Sequence, residues 1–462
     1  MKTPLPPQPS PELPDCSYTA PSSLIRPSSP TPTGTLYLSN LDDQHFLRFS
    51  IKYLYLFETS VPSDTLKRSL SRVLIDYYPL AGRLRTSCPG DDRKLEVDCN
   101  GEGALFAEAS MDLTAEEVLG LARRPNRSWR KLLYRVEGQS FLNVPPLVVQ
   151  ATNLRCGGMI LCTAICHCLC DGIGSSQFLR AWAHLTSKPH ADLTLQPIHS
   201  RHVLRPCDPP KIQSVHPQYA RHPSRHNDGN APPADLHRQL QCQPLVPVSL
   251  TFTPSDVVQL KRRCVRSVKC TTFEVLAAHT WRSWVRLLGL GSSVNIKLLF
   301  SVNIRQRLSP QLQPGFYGNG FVLGCACTTV SDLGNNNLSN GVKLVQQAKS
   351  AVTDDHVKSI IDLLEDKTVR TDMSTCFVIS QWSRLGLEDL DFGTGKPVLM
   401  GPVMSDIYCL FLPVCGCPES VRVLVSVPES MAKRFEYLMR GFEVDGGDES
   451  AGENGSVDFE DM

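Results

Sequence analysis

Apolar and polar positions follow two periods along this chain, and the switches between them mark its elements. Thr35-Leu36-Tyr37-Leu38-Ser39 and Leu95-Glu96-Val97-Asp98 alternate with period two, as half-buried strands do. Leu66, Leu70, Val73 and Leu74 recur at helical spacing, which predicts a helix over 64–76, ending before Tyr77-Tyr78-Pro79. Two continuous apolar runs, 147–152 and Met159–Cys166, flank Cys156-Gly157-Gly158 and predict a hairpin of buried strands. A helix is predicted over 175–185 (Phe178, Leu179, Trp182, Leu185) and a stronger one over 271–288 (Phe273, Leu276, Ala277, Trp281, Trp284). Strands follow at 297–303, 321–330 and 421–427, and a helix at 429–439. Helices and strands mix in both halves, and no internal repeat is evident, so the expected class is α/β in two domains.

Two stretches break the pattern. Residues 1–34 are proline-rich and predicted to be an extended lead-in. Residues 196–241 carry six of the twelve histidines with almost no periodicity, as expected of a solvated crossover linker between domains. The boundaries this implies are an N-terminal domain over 35–195, a C-terminal domain over 242–444 and an acidic tail over 445–462.

Composition narrows the function classes. Lys and Arg number 47 against 46 Asp and Glu, a net charge of +1, without the basic excess of a nucleic-acid binder. No apolar run is long enough for a membrane span, and the N-terminus lacks the apolar core of a secretory signal. The expected compartment is the cytoplasm, where the 18 cysteines stay reduced. No Cys-x-x-Cys pair occurs, so a metal site is not expected even though Cys162, Cys166, Cys168 and Cys170 crowd around His167. These thiols would make the site a target for thiol reagents.

The sharpest chemical feature is His167-Cys168-Leu169-Cys170-Asp171-Gly172-Ile173-Gly174, at the end of a predicted buried strand. A neutral imidazole can take a proton from a weak nucleophile near pH 7. An acid four residues on can hold the turn, and Gly172 and Gly174 permit close backbone geometry. Taken alone, His-x-x-x-Asp-Gly is equally a strand-end His with a turn Asp.

Further motifs resolve that ambiguity. Tyr78-Pro79-Leu80-Ala81-Gly82-Arg83, Thr272-Phe273-Glu274-Val275-Leu276-Ala277-Ala278-His279-Thr280-Trp281-Arg282, Val302-Asn303-Ile304-Arg305-Gln306-Arg307-Leu308, Tyr317-Gly318-Asn319 and Asp391-Phe392-Gly393-Thr394-Gly395 follow in order. With His167, Asp171 and Gly172, this set resembles the plant BAHD acyltransferase family over about residues 20–440. The resemblance implies two chloramphenicol-acetyltransferase-like domains with a channel between them, the His at its centre. It implies transfer of an acyl group from a coenzyme A thioester to an alcohol or amine, with acyl-CoA as co-substrate and no other cofactor. The acyl groups it suggests are hydroxycinnamoyl or similar, placed on alcohols that include long-chain ones. In such enzymes His167 is the general base, and no covalent acyl-enzyme forms. Ser380 and Trp382 match the oxyanion or substrate contacts. Asp171 pairs with an Arg, best matched by Arg305, and Asp391, Gly393 and Gly395 belong to a structural loop. A monomer is expected.

The chain departs from the family pattern at Thr394, where Trp is usual, and at Cys166 before the base. Thr394 leans toward an alternative, a catalytically weak relative that binds a ligand or partner; the intact His167 leans toward the enzyme. A condensation-type, amide-forming relative uses the same His motif but sits beside carrier modules, and none is visible here. Lys261-Arg262-Arg263 reads as a solvated helix face or a phosphate contact.

Overall fold

The computed structural model describes residues 11–88, 91–122, 126–136, 141–221, 236–335, 337–403 and 408–441. The acidic tail and the first ten residues of the lead-in lie outside them.

The first half builds β1 (Ser50–Phe57), α1 (Ser63–Asp76), β2 (Ala104–Met111), β3 (Leu147–Leu154), β4 (Met159–Cys166) and α2 (Gly172–Ser187). β3 and β4 pair antiparallel, as the apolar runs predicted, and β4 pairs on its other side with β1. β4 is therefore central to its sheet and buried at every position, which is why it reads as a continuous apolar run. Leu66, Leu70, Val73 and Leu74 of α1 are fully buried, and the Trp182 Nε1–H of α2 donates to the Leu66 carbonyl at 3.2 Å.

The second half builds β5 (Leu245–Phe252), α3 (Thr272–Leu288), β6 (Asn295–Asn303), β7 (Phe321–Thr329), α4 (Leu338–Ser350), α5 (Asp354–Leu363), β8 (Cys376–Gln381), β9 (Leu399–Pro402), β10 (Cys409–Pro413), β11 (Val421–Pro428) and α6 (Ala432–Arg440). Its six-stranded sheet runs β5-β11-β10-β8-β6-β7, with β7 at one edge. Thr271 caps α3 in a capping box with Glu274, satisfying two backbone N–H groups at the helix start. Trp284 of α3 stacks on Phe377 of β8 at 4.9 Å.

Two features depart from the chain-order reading. β9 leaves the second half and pairs antiparallel with β1, completing the seven-stranded sheet of the first half. Residues 196–221 are only partly solvated, with 207–213 exposed. Arg201 is fully buried, and Tyr219–Arg221 pairs with Val369–Thr371. The buried contacts are made with partners across the fold, where sequence periodicity carries no signal; residues 222–235 of the expected linker lie outside the described residues.

Candidate active site

His167 follows the last residue of β4, in the turn that leads into α2. Its backbone N–H donates to the Phe49 carbonyl at 2.9 Å. Its ring lies edge-on to Phe49 at 5.3 Å and 6.1 Å from Phe321, the first residue of β7. The histidine thus sits where the two halves meet, between aromatic rings. Phe49 is itself 45% exposed, which leaves an apolar surface beside the imidazole.

The hydrogen-bond network fixes the tautomer. Asn319 Nδ2 donates to the Asp42 carboxylate at 2.9 Å and to the His167 carbonyl at 2.8 Å. Both donors are occupied, so Asn319 Oδ1 is the atom facing His167 Nδ1 at 3.2 Å, and it can only accept. Nδ1 therefore carries the ring proton and Nε2 the lone pair. Burial lowers the His167 pKa below its ordinary value, holding the ring neutral at cellular pH.

Two ion pairs, one partly and one fully buried, frame this histidine. Asp171 receives Arg305 as a fork, at 2.8 and 3.0 Å, across the boundary between the halves. Its carboxylate also accepts from the Gly174 N–H at 2.8 Å, capping α2, and from the Gly320 N–H at 3.0 Å. Both oxygens are thus taken up by Arg305 and by backbone N–H groups. The approach is tight at Gly174, where a Cβ would stand 1.8 Å from the Tyr317 carbonyl oxygen. The second pair joins Asp42 to Arg201 at 2.7 Å, and both side chains are fully buried. Arg201 also donates to the Leu169 carbonyl at 2.7 Å, within the His-x-x-x-Asp segment. Asp42, Arg201 and Asn319 were absent from the sequence-derived site. Only Asn319 had a signal, its place in Tyr317-Gly318-Asn319.

Ser380 and Trp382 lie on β8 and just beyond it. The Trp382 Nε1–H donates to Ser380 Oγ at 3.1 Å, which leaves the Ser380 hydroxyl proton free to turn toward a ligand. The indole stacks on Tyr53 at 4.3 Å, and its ring edge would lie 3.6 Å from a Cβ at Gly172. The pair is thus anchored to the helix start that follows His167.

The second signature stands elsewhere. Asp391 Oδ1 accepts from the N–H groups of Gly393 and Gly395 at 2.7 and 3.0 Å. Both glycines have φ above +100°, a left-handed conformation that favours residues without a Cβ. A Cβ at Gly393 would stand 3.4 Å from Ser187, the last residue of α2. The loop therefore sits at the opposite end of α2 from Asp171, about 22 Å away along the helix axis. Phe392 packs on Trp182 and Phe57, and Thr394 Oγ1 donates to the Thr59 carbonyl at 3.2 Å. Thr394→Trp is accordingly expected to move the melting temperature while leaving the acceptor profile unchanged, as competition assays with paired alcohols will show.

The remaining candidates resolve into packing. Cys162, Cys166, Cys168 and Cys170 are buried, and burial pushes the Cys162 and Cys170 thiols well above their ordinary value. The expectation that thiol reagents reach the site is corrected, because these sulfurs are core atoms. Among the described residues no group of three or more His, Cys, Asp or Glu side chains could hold a metal ion. His279 is buried and donates from Nε2 to the Met439 carbonyl at 2.9 Å. Lys261 and Arg262 stand in the last turn of the helix Pro254–Arg262, where cations complement the helix dipole.

The Transferase family matches this chain over residues 19–440. A fatty alcohol:caffeoyl-CoA acyltransferase of Arabidopsis thaliana is 35% identical over 426 residues, covering 90% of this chain and 96% of that protein. A benzyl alcohol O-benzoyltransferase of Petunia hybrida is 36% identical over 400 residues, covering 83% and 82%. The crystal structure of vinorine synthase superposes with a TM-score of 0.68 at 21% identity, covering 90% of this chain and 95% of that one.

Proposed function

The chain belongs to the Transferase family, the plant BAHD acyltransferases, and from that premise we propose that it moves an acyl group from a coenzyme A thioester to an alcohol, with His167 as general base. The observation that carries the base assignment is the Asn319 contact, which leaves Nε2 as the proton acceptor. The alcohol O–H gives its proton to Nε2 as its oxygen attacks the thioester carbonyl. Negative charge develops on the carbonyl oxygen, and the Ser380 hydroxyl, oriented by the Trp382 N–H, is the donor assigned to it. As the tetrahedral intermediate collapses, the imidazolium returns its proton to the departing thiolate. No acyl-enzyme is required. Asp42 and Asp171 stand near the imidazole, and each is paired with an arginine, so neither holds the ring protonated in the ground state.

The two relatives place caffeoyl and benzoyl groups, by name, on fatty and benzyl alcohols. The rings of Phe49 and Phe321 beside His167 suit such apolar partners. We assign an aromatic acyl-CoA donor and an apolar alcohol acceptor, and a cytoplasmic monomer with no other cofactor. The test is a matrix of acyl-CoAs against alcohols and amines, read by mass spectrometry. Ester from aromatic acyl-CoAs with long-chain or benzyl alcohols is the expected product. No product with any CoA donor would overturn the assignment in favour of a binding protein.

Asn319 is a positioning residue in this scheme. Asn319→Leu is expected to lower kcat by about 10²-fold with little change in KM, since it frees the ring orientation without removing a substrate contact. An unchanged kcat would show that the ring is held by its aromatic neighbours alone.

A further inference from the structure

We propose that Cys325 and Cys327 are a reversible dithiol–disulfide site, oxidised by low-molecular-weight disulfides. The proposal does not depend on the acyltransferase reading. Both residues lie on β7, two apart, so their side chains share one face of an edge strand. Their sulfurs stand 3.4 Å apart. Cys327 is exposed and Cys325 partly so, unlike the buried thiols around His167. Cys325 packs in the same apolar cluster as Phe321 and Leu323. The pair therefore continues the sheet face that begins at the histidine, about 13 to 20 Å along the strand.

The surroundings activate one sulfur of the two. A hydrogen bond from the Cys325 thiol brings Cys327 down to about 7, and the Lys297 ammonium adds to this. Lys297 is the cross-strand partner of Cys327 on β6. Cys327 is the attacking thiolate and Cys325 the resolving thiol. In the first step the Cys327 thiolate forms a bond to one sulfur of the small disulfide and expels the other half as a thiolate. In the second step Cys325 loses its proton to solvent and attacks the Cys327 sulfur, expelling the second half. One S–S bond breaks in the reagent, one forms in the protein, and the reagent leaves as two thiols. Residues two apart on a strand have Cα atoms about 6.7 Å apart, near the upper limit for a disulfide. Closure thus needs a local pucker, which β7 can adopt because its outer side pairs with no strand among the described residues. A bond closed in this way is readily reduced again.

The test incubates the full chain with oxidised glutathione at pH 7, followed by rapid alkylation and peptide mass spectrometry. The peptide carrying Cys325 and Cys327 is expected to lose the mass of two hydrogens and to regain it with dithiothreitol. Cys325→Ala is expected to stop at the glutathione adduct on Cys327. It should also alkylate at Cys327 roughly three-fold more slowly, because the donor that favours the thiolate is gone. Two results would overturn the proposal. One is glutathione on exposed Cys88 and Cys417 while this pair stays reduced. The other is a stable adduct on Cys327 in the unaltered chain.

Discussion

His167→Gln is expected to reduce turnover by about 10² to 10⁴-fold, the usual contribution of a positioned general base. Glutamine keeps a side chain of similar reach between Phe49 and Phe321 but cannot accept and return a proton. The fold should survive, because the backbone N–H to Phe49 and the two ion pairs do not depend on the imidazole. Circular dichroism and thermal melting check the fold; initial rates with acyl-CoA check the chemistry. Full turnover by the variant would remove His167 from its role. The pH profile is a second reading of the same group. Its pKa is lowered by burial, and a general base acts through its neutral ring. Activity governed by this group should hold level through neutrality and fall only on acidification below about 6.5, the ordinary histidine value. A profile that fell on passing from pH 8 to pH 7 would contradict it.

The second large effect is on stability. Arg305→Ala leaves the Asp171 carboxylate buried without its cation, and breaking such a pair from one side costs about 3 to 5 kcal/mol. Chemical denaturation should report that loss as a lower midpoint. Asp171→Asn should also be costly, since its single amide oxygen can accept from the Gly174 or the Gly320 N–H but not both, and Arg305 is left without its anion. Combining Asp171→Asn with Arg305→Met removes both charges. That double variant should be more stable than Arg305→Ala alone. Equal losses in all three would mean that the pair adds little beyond packing. Gly174→Ala belongs to the same seam and should be at least as damaging, because its Cβ has no room against Tyr317.

What could be read from the sequence was local. The β3–β4 hairpin announces itself through two adjacent apolar runs, and the turn that carries His167, Asp171 and Gly172 is contiguous with it. The Arg305 partner was available only through resemblance to a family. The Asp42 network was not available at all. Asp42 lies 159 residues from Arg201 and 277 from Asn319, and each is an ordinary polar residue until the fold buries them together. β9 was equally invisible. It is four residues long, ends in Pro402, and has no period to display. A proline is tolerated there because the strand is an edge.

That short strand sets a timetable for folding. β1 is synthesised early, but the strand that covers its open side is made about 340 residues later. At a synthesis rate of roughly 5 to 20 residues per second, that edge waits about 20 to 70 s on the ribosome. Through that interval the nascent first half presents an unpaired edge and the apolar faces of Phe57 and Trp182, which Phe392 later covers. The two halves of this protein are therefore unsuited to production as separate pieces. A chain cut after α2 should aggregate unless a chaperone, or a supplied peptide carrying residues 391–402, takes the place of what has yet to be made.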